Sequence, residues 1–323
     1  MNVFVAGGAG YIGSACVEAL LDEGHRVTVF DNLSEGHRAA VDERAALVLG
    51  DLSDAEGLNK AVRGSESEVV LHFAASALVG ESMTNPTKYF RNNVANGLNL
   101  IEAAVSNKVR RFVFSSTCAT YGPPDRIPMT EDLPQHPINP YGQSKLLFES
   151  MLPWYHEIHG LEYVAFRYFN AAGATPTRGE DHRIETHLIP NVLRVALGQA
   201  SHVELYGTDY PTPDGTCIRD YIHVLDLAQA HILAMSHGPC GFFNLGNGEG
   251  YSVKDVIQVC RDVSGKDIST VEKPRRPGDP PRLVASAAKA REAFGWRPRH
   301  PRIEDIVASA WKWHSTHPRG YGD

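Results

Sequence analysis

The chain has 323 residues, 42% of them hydrophobic, and a formal net charge of -7. That length supports a large core and two lobes rather than one, and an acidic balance without any strongly basic stretch argues against nucleic-acid binding. No run of about 18 apolar residues that could span a membrane occurs, and the opening MNVFVAGGAG has neither the basic region nor the cleavage-like site of a signal peptide.

A first strand is expected over Val3–Ala6 and a helix over Tyr11–Glu23, with Gly7-Gly8-Ala9-Gly10-Tyr11-Ile12-Gly13 at their junction. Glycines at 7, 10 and 13 let backbone approach a pyrophosphate, and the helix N-terminus offers N–H groups and partial positive charge. The next strand, Arg26–Phe30, ends at Asp31. An acidic residue there accepts hydrogen bonds from ribose hydroxyls and repels a 2′-phosphate, which favours NAD over NADP. A third strand, Ala46–Leu49, leads to Asp51-Leu52, placed either to flank an adenine or simply to shape a turn. Helix Ala55–Val62, strand Val69–Phe73, helix Thr87–Ser106, strand Arg111–Ser115 and helix Pro140–His159 follow. This alternation predicts a parallel sheet with helices on both faces.

The strand RRFVFSS delivers Ser115 and then Thr117 to its C-terminal end, where ligands bind in open α/β sheets. Asn139 suits a helix N-cap and Pro140 the first helical position. Tyr141 and Lys145 then lie at i and i+4 on one face. A free tyrosine, with a pKa of about 10, is a poor base at neutral pH. A neighbouring ammonium, the helix N-terminus and a cationic nicotinamide would each favour its phenolate, making Tyr141 a candidate general base.

After about Asn170 the texture changes to long loops rich in Gly, Pro and charge: AAGATPTRGEDHR, TDYPTPDGT and KPRRPGDPPR. Loops of that length usually carry function or cover a cleft. Residues 1–170 are therefore expected to form a dinucleotide-binding domain and 171–323 a smaller substrate domain, with the segment near 221–245 returning to the first sheet. Arg219 and Arg276 are candidates to clamp a diphosphate.

The five cysteines are dispersed, which fits free thiols in a reducing cytoplasm. The pairs His182/His187 and His156/His159 show no other ligand-type partners at metal spacing, so no metal is expected.

Together GGAGYIG, HFAA, RNNVANG, FSSTCATYG, YGQSK, FRYFNAAG, DGTCIRDYIHV, FNLGNG and HPRGYGD resemble, over essentially the whole chain, the extended short-chain dehydrogenase/reductase family, and within it the UDP-sugar 4-epimerases. The resemblance implies an α/β fold: a Rossmann-type doubly wound parallel sheet with a smaller C-terminal α/β substrate lobe. It implies NAD contacts at Gly7, Gly10, Tyr11, Ile12, Gly13, Asp31, Asn32, Asp51, Leu52, Phe73, Ala74, Asn92, Ser115, Tyr141, Lys145 and Tyr168. UDP-hexose contacts are implied at Thr117, Tyr141, Phe169, Asn170, Leu188, Tyr206, Arg219, Tyr221, Arg276, Asp279 and Leu283. Tyr141, Lys145 and Thr117 are the implied catalytic set, inverting C4 between UDP-glucose and UDP-galactose through a 4-keto sugar. The resemblance further implies a homodimer built from helices Thr87–Ser106 and Pro140–His159; Pro153 is itself expected to kink or end the second, which the family pattern does not require.

Two positions depart from the family pattern and a third bears on the choice of sugar. Ala77 stands where a Lys is common, His187 where an Asn is common, and Leu283 is intermediate in size, leaving N-acetylated and pentose substrates open. Two rival readings are a 4,6-dehydratase, disfavoured because Cys118-Ala119 cannot supply its acid and base, and a non-catalytic NAD-binding scaffold, disfavoured because Tyr141, Lys145 and Thr117 are all present.

Overall fold

The computed structural model describes residues 1–276 and 279–322. Its first strands are β1 (Asn2–Ala6), β2 (Arg26–Asp31), β3 (Ala46–Leu49), β4 (Val69–His72), β5 (Arg111–Thr117) and β6 (Glu162–Tyr168). With the strand Gly241–Leu245 they form one seven-stranded parallel sheet, ordered Gly241–Leu245, β6, β5, β4, β1, β2, β3. The alternation of side chains along β1 shows why it is covered on both faces. Val3 and Val5 pack with Val17, Leu20 and Leu227 on one side; Phe4 and Ala6 pack with Leu58, Leu100 and Phe148 on the other.

The chain leaves β1 in one direction and later resumes at β4 in the other. The loops after β1 and β4 therefore diverge and open a crevice at the carboxyl ends of the strands. A separate apolar cluster joins Ile189, Val192, Val256, Ile257, Ile306 and Val307 from the helices Leu188–Ala196, Val253–Ser264 and Ile303–Thr316. It is accompanied by the parallel pair Val203–Tyr206 and Thr270–Lys273.

Two local expectations are corrected. The stretch Thr87–Ser106 is not one regular helix. It divides into Pro86–Tyr89, a wide π-turn over Phe90–Asn96, and Gly97–Ser106. The wide turn aims polar side chains inward: Asn93 Oδ1 accepts from the Ser76 N–H at 2.8 Å, and Asn92 Nδ2 donates to Ser76 Oγ at 3.3 Å. The Pro140–His159 helix, by contrast, does not end at Pro153 but continues to its Gly160 cap. Only one helical hydrogen bond is lost at a proline, and burial of Phe148 and Leu152 holds the turns before it.

Candidate active site

At the β1 turn, Gly7 has φ +84° and a Cβ there would lie 2.4 Å from the Ala74 nitrogen. A Cβ on Gly13 would lie 2.1 Å from the Gly7 carbonyl oxygen. These two glycines are demanded by the chain's own packing. Gly10 is different: a Cβ there would meet nothing nearer than 3.6 Å, so packing leaves room beside it. Gly10 caps the helix α1 (Tyr11–Asp22), which has no side-chain cap and no acidic residue in its first turn. Its N-terminal partial charge is therefore unopposed by any carboxylate of its own first turn.

Asp31 ends β2 and is buried. Its carboxylate accepts from the Ala9 and Leu33 N–H groups, both at 2.9 Å, and burial raises its pKa against those bonds. Asn32 Nδ2 donates to Asp51 Oδ2 at 2.6 Å, joining the ends of β2 and β3, with Leu52 buried behind. Phe73 and Ala74 follow β4, and their N–H groups both donate to the Ala6 carbonyl. The Ala77 position is exposed.

Over this edge runs a strap, residues 173–187, that the sequence reading did not place. Tyr11 Oη donates to the Gly173 carbonyl at 2.6 Å, and the Thr175 and Thr177 hydroxyls donate to Glu18. Arg183 donates to the carbonyls of Ser34 and Gly36 at 3.0 and 3.1 Å, and a His37 ring nitrogen lies 3.1 Å from the Asp181 carbonyl.

The reacting residues assemble at the ends of β5 and β6. Asn139 accepts from the Gly142 N–H at 2.8 Å and Pro140 occupies the first turn, so the helix starts where the sequence predicts. Lys145 is 3% exposed; its ammonium donates to the Ser115 carbonyl at 2.8 Å and lies 4.8 Å from the centre of the Phe114 ring. Burial lowers its pKa to about 7, against an upward pull from Glu149. Burial pushes Tyr141 up to about 12; a hydrogen bond with Thr117 works the other way and Cys118 adds to the rise. Each sits in a dry environment that disfavours its own charge. Thr117 Oγ1 accepts from the Ala119 N–H at 3.2 Å, and Ser115 and Tyr168 share a short hydroxyl contact.

Sequence reasoning missed what lies one turn further. Glu149, at i+4 from Lys145, forms a buried ion pair with Arg167 at 2.6 Å. Ser116 Oγ donates to Glu149 at 2.5 Å, and Arg167 donates to the Tyr121 hydroxyl at 2.9 Å. The repeated i+4 spacing from Tyr141 to Lys145 to Glu149 was the available signal.

Residues from the second half close the crevice. Asn170 and Tyr221 are register partners in a short parallel pair, with Phe169 buried beside them. Leu283 pairs with Arg219, and Arg219 forms an ion pair with Asp279. The Arg219 charge pulls the Cys118 thiol down against the burial that raises it. Arg276 is exposed and stacked 4.1 Å over the Tyr206 ring, and its carbonyl accepts from the Asp279 N–H at 3.2 Å. Leu188 opens the helix Leu188–Ala196, with His187 as its N-cap residue. The histidine pair at 182 and 187 is corrected here: Glu180 and Glu185 stand beside it, and one ligand atom from each of the four lies within 4.8 Å of the others. The spacing Glu-x-His-x-x-Glu-x-His carried that signal once glutamates were counted with histidines.

The profile of the NAD dependent epimerase/dehydratase family matches residues 3–246. A UDP-glucose 4-epimerase of Halalkalibacterium halodurans is 50% identical over 99% of this chain and 98% of its own. The crystal structure of a UDP-glucose 4-epimerase from Brucella ovis in complex with NAD is 45% identical and superposes with a TM-score of 0.94, covering 96% of this chain and 97% of that one. The enzyme from Bifidobacterium longum, in complex with NAD+ and UDP, is 37% identical with a TM-score of 0.94, covering 99% and 100%. With a glycine turn leading into an uncapped helix, a Tyr141–Thr117–Lys145 grouping at the sheet's carboxyl edge and relatives matched from end to end, the chain belongs to the NAD dependent epimerase/dehydratase family.

Proposed function

We propose that the chain interconverts UDP-glucose and UDP-galactose by inversion at C4, with NAD retained through the cycle. The observation that carries this reading is the Tyr141 hydroxyl placed beside Thr117 at the carboxyl end of β5, where Thr117 pulls its pKa down against burial. A hydroxyl pair there can take a proton from a sugar hydroxyl and give it back. The residues fit NAD: open space at Gly10, the uncapped start of α1, and the buried Asp31 carboxylate. Bound NAD+ would supply a reversible hydride acceptor, so no net oxidation results.

The chain's own residues then divide the work. Gly7, Gly10, Tyr11, Ile12 and Gly13 receive the pyrophosphate; Asp31, Asn32, Asp51 and Leu52 surround the adenosine. Phe73, Ala74, Asn92, Ser115, Lys145 and Tyr168 position the nicotinamide half. Tyr141 removes the proton from the sugar 4-hydroxyl, Thr117 orients that hydroxyl, and the proton returns to the 4-oxygen after the keto sugar has turned. Asn170, Leu188, Tyr206, Arg219, Tyr221, Arg276 and Asp279 hold UDP, with Arg219 and Arg276 on phosphate. Phe169 and Leu283 border the sugar.

This assigns residues 1–170, with the returning segment near 221–245, to NAD and 171–323 to the UDP-sugar. The free state of all five cysteines supports a cytoplasmic setting, and among the described residues no helix is long and apolar enough to cross a membrane. A homodimer is supported by exposed Leu147, Trp154 and Ile158 on the Pro140–His159 helix, with exposed Phe90 on the neighbouring π-turn.

The test is a turnover assay on UDP-galactose and UDP-N-acetylgalactosamine, read by product chromatography. Conversion of UDP-galactose to UDP-glucose is expected. Activity confined to the N-acetylated pair would overturn the sugar assignment, and NAD binding without any turnover would overturn the enzymatic one.

A further inference from the structure

Within the strap, the peptide turns so that alternate polar residues face opposite ways. Asp181 accepts from the Tyr321 N–H at 2.9 Å. Glu180, His182, Glu185 and His187 converge on one another instead. Four donor separations are short: His187 Nδ1 to Glu180 Oε1 is 2.9 Å, to Glu185 Oε1 3.2 Å, and His182 Nδ1 to Glu185 Oε2 3.2 Å and to Glu180 Oε1 3.5 Å. A tetrahedral ion with bonds of about 2.0–2.1 Å holds its donors about 3.3 Å apart. Those four separations, 2.9–3.5 Å, bracket that spacing, and one donor atom from each residue lies within 4.8 Å of the others.

A second, independent observation points to an occupant. The Glu180 side chain is 4% exposed, and its Oε1 faces both imidazoles, 2.9 Å from His187 Nδ1 and 3.5 Å from His182 Nδ1, without a well-aligned hydrogen bond from either. The Glu185 side chain is 1% exposed. Two carboxylates placed so deeply call for positive charge at short range. We propose that Glu180, His182, Glu185 and His187 form a structural site for one divalent cation of the zinc type. Two imidazoles and two carboxylates suit such an ion better than calcium or magnesium, and two carboxylates neutralise it. Four protein ligands leave no open position, so the ion is structural rather than catalytic. His187, half exposed, leaves a path of entry.

The ligands span from the buried end of the strap to the N-cap of the Leu188–Ala196 helix. The His182 ring packs edge-on against Tyr11, the first residue of α1. A bound ion therefore clips the strap down beside the phosphate turn. That consequence rests on the NAD reading above; the metal site itself does not.

The experiment uses the full chain, dialysed against a chelator and then titrated with zinc alone against a chromophoric chelator, with metal counted by elemental analysis after gel filtration. About one zinc per chain is expected, weakened at least about 100-fold in His187→Ala and Glu180→Gln. Cobalt soaked into the stripped wild type should give the intense visible bands of a tetrahedral site, a readout that needs no variant. Sub-stoichiometric zinc at micromolar concentrations, or a weak octahedral cobalt spectrum, overturns the site and leaves two imidazolium–carboxylate pairs in its place. NAD retention is measured separately. Stoichiometric zinc with unchanged NAD release would overturn only the clip, and an inactive protein that still binds zinc would leave the site standing.

Discussion

The decisive quantity for the proposed chemistry is the ionisation of Tyr141. In the cofactor-free chain burial pushes it up to about 12, with only the Thr117 hydrogen bond opposing. At about pH 8 that leaves roughly one molecule in ten thousand ionised, a cost of about 5 kcal/mol at 1.36 kcal/mol per pKa unit. A single positive charge at about 4 Å, in an effective dielectric of about 20, returns about 4 kcal/mol, or about three units. A cationic nicotinamide is such a charge. Lys145 supplies it only in part, because its own pKa is lowered to about 7. The perturbation is therefore loading with NAD+. The assay is the ultraviolet tyrosinate band titrated against pH, with Tyr141→Phe subtracted to isolate one residue. The midpoint should lie above about 10 in stripped protein and fall by about two units or more on loading. Reduction of the bound cofactor should reverse the fall. A stripped protein that already ionises near neutrality, or a loaded one with an unmoved midpoint, would refute the reasoning.

Other expectations follow from the same geometry. Glu149→Gln leaves the Arg167 guanidinium buried without its carboxylate and should cost about 3–5 kcal/mol by denaturant unfolding; a loss under about 1 kcal/mol would show that the pair is not holding the fold. Gly13→Ala puts a methyl 2.1 Å from the Gly7 carbonyl oxygen and should lower both melting temperature and NAD retention. Gly10→Ala, with its nearest neighbour at 3.6 Å, should leave the melting temperature nearly unchanged yet weaken NAD binding, and equal effects of the two substitutions would contradict the cradle. Lys145 holds its proton to 10.5 when unfolded but only to about 7 when folded, so the unfolded chain binds more protons between those values. Stability should rise with pH across that window, and Lys145→Met should flatten the slope; an unaltered slope would place the shift elsewhere.

How far the sequence carried depended on whether a signal was local. The glycine turn, Asp31, the Asn139 cap and the Tyr141–Lys145 face are set by neighbours in the chain, and each was readable there. The π-turn at Phe90–Asn96 was not, because it is held by Asn92 and Asn93 reaching Ser76 across the fold. Pro153 failed as an end signal for the complementary reason: packing of the helix overrode a local penalty. The helical spacing set Lys145 on its turn, but spacing along a helix says nothing about how dry the surroundings become, so the lowering of its pKa to about 7 by burial was not legible. The Glu180–His187 cluster was hidden by a search for histidine and cysteine alone.

The strap has a consequence for assembly order. Its ties are long-range: Tyr11 to Gly173 spans 162 positions, His37 to Asp181 144, and Asp181 to Tyr321 140. Contacts of such separation carry the largest loop-closure cost and are slow to form. A sheet with its phosphate turn in place but the strap still loose is an open cup. On the NAD reading, a dinucleotide captured at that moment would be walled in as the strap settles, and loading would then belong to maturation of the protein rather than to each turnover.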